Sequence, residues 1–283
     1  MVDIEVFVGK VMKIYYEQRQ DVHHPQTQRH PQMKDKFIVL SAHRSGTTLL
    51  LSSLESHPQI RCHKRVFTLN IIGNRFLAFD RPGSPFYQYR TASLQRRLDY
   101  MFRPKQLIND FMTELCAPTN GVKTVGVRVV YAQADKHPQI LEWAKKNEAG
   151  IIHLIRENSL KMIVSGETAQ KRGLHHSTSA VKPVTVRLHP FKIKIQLMRL
   201  TNQIKKFRTI LKDVPHLELT YESFVANRET ETRRIFDFLG IDEFMPLTSN
   251  MVKLNPNSLE NIIENYTEIK QILSGTAFEK FLD

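Results

Sequence analysis

Short, almost wholly apolar runs punctuate this chain, and between them apolar residues recur at the three-to-four spacing of helices. Phe37 to Ser41, Lys123 to Val130 and Ile151 to Ile155 read as strands buried on both faces, as in a parallel sheet. Leu217 to Thr220 reads as a shorter strand. Ile60 to Phe67 returns toward a sheet edge. Helical periodicity covers Thr47 to about His57, roughly 91 to 115, His137 to Asn147, a helix beginning after Asn158, Pro190 to Lys212, and Arg228 to Phe238, which stops at Gly240. Strands and helices in this order predict an α/β fold with a central parallel sheet flanked by helices.

Four segments depart from that rhythm. Residues 1 to 19 have a mixed pattern compatible with a helix, and a polar stretch rich in His and Pro follows (His23, His24, His30), so 1–35 is expected to be a helix plus linker and 36–283 one α/β domain. Residues 73–90, with Phe76, Phe79, Phe86, Tyr87 and Tyr89 among Gly and Pro, form an aromatic insertion expected to be irregular and to wall a substrate site. Lys171 to His189 reads as a polar loop. The C-terminal part, with Tyr266 and Phe278, either packs on the sheet as a structural tail or supplies ligand contacts.

Chemistry concentrates where the first strand meets the first helix. His43-Arg44-Ser45-Gly46-Thr47-Thr48 joins them, and a helix start offers backbone N–H groups without intrahelical partners and partial positive charge. Such a loop is an anion site. Arg44 adds a guanidinium, Ser45, Thr47 and Thr48 add hydroxyls, and Gly46 lets the backbone come close. The loop lacks the G-x-x-x-x-G-K-[ST] pattern of nucleoside triphosphatases, having no Lys before its Thr pair.

A second basic position, Arg156, ends the strand at 151–155, where open parallel sheets bind ligands. Asn158 can cap the following helix, and Ser165 lies two turns into it. Arg44-Ser45-Gly46-Thr47-Thr48 after a buried strand, then Arg156 with Ser165, then strand, Tyr221-Glu222 and a helix closing in Phe-Leu-Gly, together resemble the sulfotransferases that use 3′-phosphoadenosine 5′-phosphosulfate (PAPS). The resemblance spans about 36–283.

It implies a sulfotransferase fold and transfer of a sulfuryl group to a hydroxyl or amine of a small molecule, carbohydrate or lipid-linked glycan. Arg44, Ser45, Gly46, Thr47 and Thr48 would hold the donor's 5′ end, Arg156 and Ser165 its 3′-phosphate, and Tyr221 would lie near the adenine. Lys253 and Asn255 are weaker candidates for phosphate contacts. No metal is needed, and the product nucleotide would be 3′-phosphoadenosine 5′-phosphate (PAP). Bacterial relatives often carry a Glu base in a context such as His-Gly-Glu-Val-Phe. Here the run is His63-Lys64-Arg65-Val66-Phe67, and an Arg cannot accept a proton at neutral pH. His63, with an ordinary pKa of about 6.5, is the nearest substitute, and Lys64 and Arg65 are expected to keep it neutral. Glu55, Asp80 and His175 are further candidates, and Arg65 could instead grip an anionic acceptor. A catalytically silent PAP- or PAPS-binding protein and a P-loop small-molecule kinase are the alternatives.

Composition narrows the partners. Forty-one Lys and Arg against 28 Asp and Glu give a formal charge of +13, a bias toward anions. The charge is dispersed, without a long basic block or a nucleic-acid motif, so nucleic acid is not expected as a partner. Two isolated cysteines, Cys62 and Cys116, make neither a disulfide framework nor a metal cluster and fit a reducing, cytoplasmic setting. No run approaches the roughly 18 apolar residues of a membrane span.

Overall fold

The computed structural model describes residues 33–67, 69–72, 75–80, 82–117, 119, 121–174, 179, 181–251, 255 and 258–282. The expected N-terminal helix, the His-rich linker, His175 and Lys253 lie outside them. In chain order the elements are β1 (Lys36–Ser41), α1 (Thr47–Leu54), β2 (Ile60–His63), β3 (Leu69–Ile72), β4 (Arg75–Asp80), α2 (Pro85–Thr91), α3 (Leu94–Phe102) and α4 (Pro104–Leu115). Then come β5 (Thr124–Val130), α5 (Tyr131–Lys136), α6 (Gln139–Lys146), β6 (Gly150–Ile155), α7 (Ser159–Arg172), α8 (Pro190–Leu211) and β7 (His216–Thr220). Helices α9 (Tyr221–Ala226), α10 (Arg228–Leu239) and α11 (Tyr266–Leu273) complete the order, with a final 3-10 turn at Glu279–Phe281.

Five parallel strands form the central sheet in the order β2-β5-β1-β6-β7. Side chains alternate across each strand, so Ile38 and Leu40 pack with Val127, Phe111 and Trp143 on one side. Phe37 and Val39 pack with Leu50, Leu51, Phe224 and Phe236 on the other. Helices therefore cover both faces, which is why the strands read as continuous apolar runs. Gly126 is required by this packing: a Cβ there would stand 2.2 Å from the Phe37 ring, its neighbour in register on β1.

A polar chain crosses the core beside this packing. The Tyr131 hydroxyl bonds His153 Nε2 at 2.6 Å, and Glu218 lies 3.5 Å from His153 Nδ1 and accepts both Arg208 donors at 2.9 and 2.7 Å.

Four expectations need correction. The segment 73–90 is not irregular, since it contains β4, paired antiparallel with β3, and helix α2, with Phe86 buried. The helix expected over 91–115 is two, because Pro104 opens a new helix and its ring cannot continue the old one. Helix α7 runs to Arg172 and stops at Gly173, whose φ of 65° suits a left-handed C-terminal cap. Tyr266 and Phe278 pack not on the sheet but against a third cluster built by Leu160, Val164, Ile193 and Leu197 of α7 and α8. Among the described residues no helix is long and apolar enough to cross a membrane.

One packing detail sets a pH limit. His137 is 5% exposed, and the rings of Phe67, Phe86 and Tyr100 lie 6.0, 5.6 and 6.5 Å from its own. Burial, with Lys136 and Arg90 adding repulsion, pushes its pKa down to about 4. The unfolded chain then binds a proton near pH 6.5 that the folded chain refuses, so stability is full above about 6.5 and falls as the pH drops toward 4. The loss is on the order of 2–3 kcal/mol. Urea midpoints measured from pH 7 to 4 should show this slope in the native protein and a flatter one in His137→Phe. An unchanged slope in the variant would place the titration on another group.

Candidate functional site

Strand order fixes where the site lies. The chain leaves β1 toward β2 on one side, and leaves β6 toward β7 on the other, so the connections diverge between β1 and β6. A crevice opens at the carboxyl ends of strands at such a switch point. The loops that follow those two strands carry Arg44 and Arg156.

The loop after β1 is held by its own backbone. Gly46 caps α1 with φ 85°, and Arg44 has φ 66°, the left-handed region that a non-Gly residue occupies at a cost. Gly46 at the N-cap has no side chain with which to cap α1. Ser41 Oγ and Thr47 Oγ1 lie 2.8 Å apart, tying the strand's end to the helix's first residue. Ser45 is 1% exposed and its hydroxyl has no hydrogen-bond partner among the described residues. A buried hydroxyl without a partner is costly.

Across the crevice, Asn158 caps α7 as expected, its side chain accepting from the Lys161 N–H at 2.9 Å. That cap orients the helix and brings Ser165 to face the first loop. Arg44 donates to Ser165 Oγ from Nε at 3.1 Å and from Nη2 at 2.9 Å. Arg156 donates to the Arg44 carbonyl oxygen at 3.2 Å and sits over the Tyr221 ring, 4.8 Å from its centroid. That ring packs against Gly46 so closely that a Cβ there would stand 2.2 Å from it. Arg44, Gly46, Arg156, Ser165 and Tyr221, far apart in the chain, thus form one cluster.

Electrostatics in the cluster are strongly positive. Burial and the neighbouring Arg156 lower the pKa of Arg44, while burial lowers that of Arg156 against the opposing effects of Tyr221 and Glu222. The nearest carboxylate to Arg156 is Glu222, 4.0 Å from Nε, and it also accepts the Glu157 N–H at 3.0 Å. Sequence reading gave Glu222 no role; its place beside the Tyr of the Tyr-Glu pair was the available signal.

Other expected residues lie around this cluster. Asn255 accepts from Arg172 at 2.9 Å and donates to Thr168 Oγ1 at 2.9 Å, so its amide fastens the C-terminal segment to α7 one turn beyond Ser165. His63 ends β2 half-buried, beside a cleft of about 480 Å³ lined by His63, Lys64, Arg65 and Val66 on one side and Pro82 to Pro85 on the other. Its pKa is lowered mainly by burial and then by Arg61, whereas the Leu115 backbone and Glu55 oppose the shift. The expected direction is right, but Lys64 and Arg65 are not its cause. Glu55 forms an ion pair with Lys64 and is thereby engaged. Both cysteines are buried thiols. Among the described residues no group of His, Cys, Asp and Glu could hold a metal ion.

The profile described as the sulfotransferase family matches residues 36–246. Solved structures similar to the chain include a sulfotransferase from Alicyclobacillus acidocaldarius, at 15% identity over 89% of this chain and 96% of that one, TM-score 0.44. The sulfotransferase domain of the Synechococcus PCC 7002 olefin synthase shares 18% identity over 89% and 92%, TM-score 0.44. Mouse sulfotransferase SULT7A1, solved with PAP, shares 14% over 76% and 61%, TM-score 0.42. No curated protein sequence matches. With three quarters of its length inside that profile, the chain belongs to the sulfotransferase family.

Proposed function

We propose that this protein moves a sulfuryl group from PAPS to a hydroxyl or amine acceptor bound in the cleft beside His63. The observation that carries the reading is the grip of Arg44 on Ser165, which joins the loop after β1 to the helix after β6 in one basic site. Donor phosphates fit the residues present: the buried Ser45 hydroxyl seeks a partner, Gly46 keeps the backbone low against Tyr221, and Arg156 is a buried guanidinium at a strand end.

In this reading Ser45, Thr47, Thr48 and the first N–H groups of α1 hold the 5′-phosphate, and Arg44 meets charge that develops as the sulfur–oxygen bond breaks. Arg156 and Ser165 take the 3′-phosphate, and Tyr221 offers its ring to the adenine. The donor supplies an activated sulfuryl group, and the chain's contribution is position and electrostatics. His63, held neutral by burial, is the base that takes the acceptor proton. Its position at the cleft favours it over Glu55, whose carboxylate is engaged by Lys64.

Calorimetric titration tests this directly. At fixed ionic strength, PAP should bind with one-to-one stoichiometry, and ATP with Mg²⁺ should bind at least tenfold more weakly. Equal affinities would remove the case for a PAPS donor and favour a kinase. PAP binding with no turnover over a broad acceptor set would favour the silent binder, the reading to which Arg65 in the cleft wall gives support.

A further inference from the structure

Helix α8 has an outer face unlike that of an ordinary solvated helix. Its inner face is buried: Ile193 and Leu197 join the third cluster, and Phe207 and Leu211 join the cluster under the sheet. Two residues make a little over half a helical turn, so Phe191 and Ile195 stand on the far side from Ile193 and Leu197, and Met198 falls beside them. Phe191, Ile195 and Met198 are 86%, 45% and 49% exposed. Farther along the same face come Asn202 and Thr209, both exposed, so the apolar stripe is confined to the first half of the helix.

Charge borders this stripe on both sides. Pro190–Leu211 contains six Lys and Arg and no Asp or Glu. Lys206 and Arg208, toward the end, pair with Asp135 and Glu218. Lys192, Lys194, Arg199 and Lys205 are exposed and make no ion pair among the described residues. The helical turn puts Lys194 and Lys205 on one flank of the stripe and Lys192 and Arg199 on the other. Helix α3 offers a contrast. Leu94, Leu98, Met101 and Phe102 are exposed there too, but Arg96 pairs with Glu114, Arg103 with Asp99, and nearby Lys105 with Glu142. Its charges are balanced and select no partner.

We propose that the first half of α8 docks this protein on an anionic lipid bilayer. A bilayer surface uses both parts of the pattern: Phe191, Ile195 and Met198 enter the boundary between headgroups and acyl chains, and the flanking Lys and Arg stems reach up to the acidic headgroups. A nucleic-acid backbone would use the cations and leave the apolar stripe in water. The attachment is peripheral and reversible, since three apolar side chains and four cations hold a helix on a membrane without spanning it. It is independent of the donor assignment and bears on where the protein works.

Vesicles of phosphatidylcholine with about one third phosphatidylserine, in about 0.1 M NaCl, are the probe. The native protein should co-sediment with them at least tenfold more tightly than with phosphatidylcholine alone. Phe191→Gln with Ile195→Gln should weaken that binding at least tenfold, and Lys192→Gln with Lys194→Gln should do the same. Leu98→Gln with Met101→Gln on α3 should leave it within about twofold. All six positions are exposed, so each variant should melt within about 2 °C of the native protein, which checks folding. Phe191→Trp reports insertion directly: its emission should move to shorter wavelength with vesicles and be quenched by brominated acyl chains, whereas the buried Trp143 should not respond. Unchanged binding in the Phe191 and Ile195 variant would mean that net charge alone adsorbs the protein, and unchanged binding in the lysine variant would mean that charge selects nothing. Either result overturns the proposal. So does an equal loss in the α3 variant, and so does a native protein that ignores acidic vesicles, which would assign the face to an acidic protein partner instead.

Discussion

Arg44→Ala is expected to lower turnover by about 10²- to 10³-fold and to weaken PAP binding, while the protein stays folded. The magnitude follows from removing one aimed cationic donor from a site where charge develops during transfer. The stability expectation follows from the backbone. Arg44 occupies φ 66°, and Ala in that region is strained about as much as Arg, so the substitution adds little conformational cost. What disappears includes the pair of hydrogen bonds to Ser165 Oγ at 3.1 and 2.9 Å and a charge near the crevice. Steady-state rates, PAP titration and a melting curve on the same preparation separate these effects. Turnover within threefold of the native rate would remove Arg44 from the mechanism, whatever happened to binding.

That cluster shows how far the sequence could be read. The strand, loop and helix at 36–54 were legible because β1 is buried on both faces and Ser, Gly and Thr punctuate its end. Arg156 was legible as a strand-end cation and Asn158 as a helix cap. Their meeting was not, because Arg44 and Ser165 are 121 residues apart and no local pattern encodes a contact across the sheet. Short helices were missed for a related reason. Helix α5 has six residues and α9 has six, too few to display a period, although Thr220 accepting from the Ser223 N–H at 3.0 Å is a cap signal written in the sequence. The break at Pro104 was also written there, and the apolar spacing on either side masked it. Arg128 left a single trace, one charge inside a strand of apolar residues. A lone departure of that kind has no partner in the sequence, so its place on the strand between β2 and β1 emerges only from the strand order.

Arg156→Ala should lower PAP affinity about 10- to 100-fold and that of adenosine 5′-monophosphate by less than about threefold. A guanidinium that grips a phosphate through charge-assisted bonds is worth roughly 1.5–3 kcal/mol, and only PAP has the 3′-phosphate to lose. Some shared loss is built into the geometry. Arg156 also donates to the Arg44 carbonyl at 3.2 Å and lies over the Tyr221 ring, so its removal loosens the first loop for any nucleotide. The difference between the two ligands therefore carries the test rather than either affinity alone. Arg156→Lys sharpens it: a point charge keeps part of the phosphate attraction but has neither the fork for bidentate contact nor the planar face for Tyr221, so its PAP affinity should fall between native and Ala. Equal losses for both nucleotides in Arg156→Ala would mean that Arg156 only props the loop, leaving Ser165 and the positive field around it as the means of reading the 3′ position.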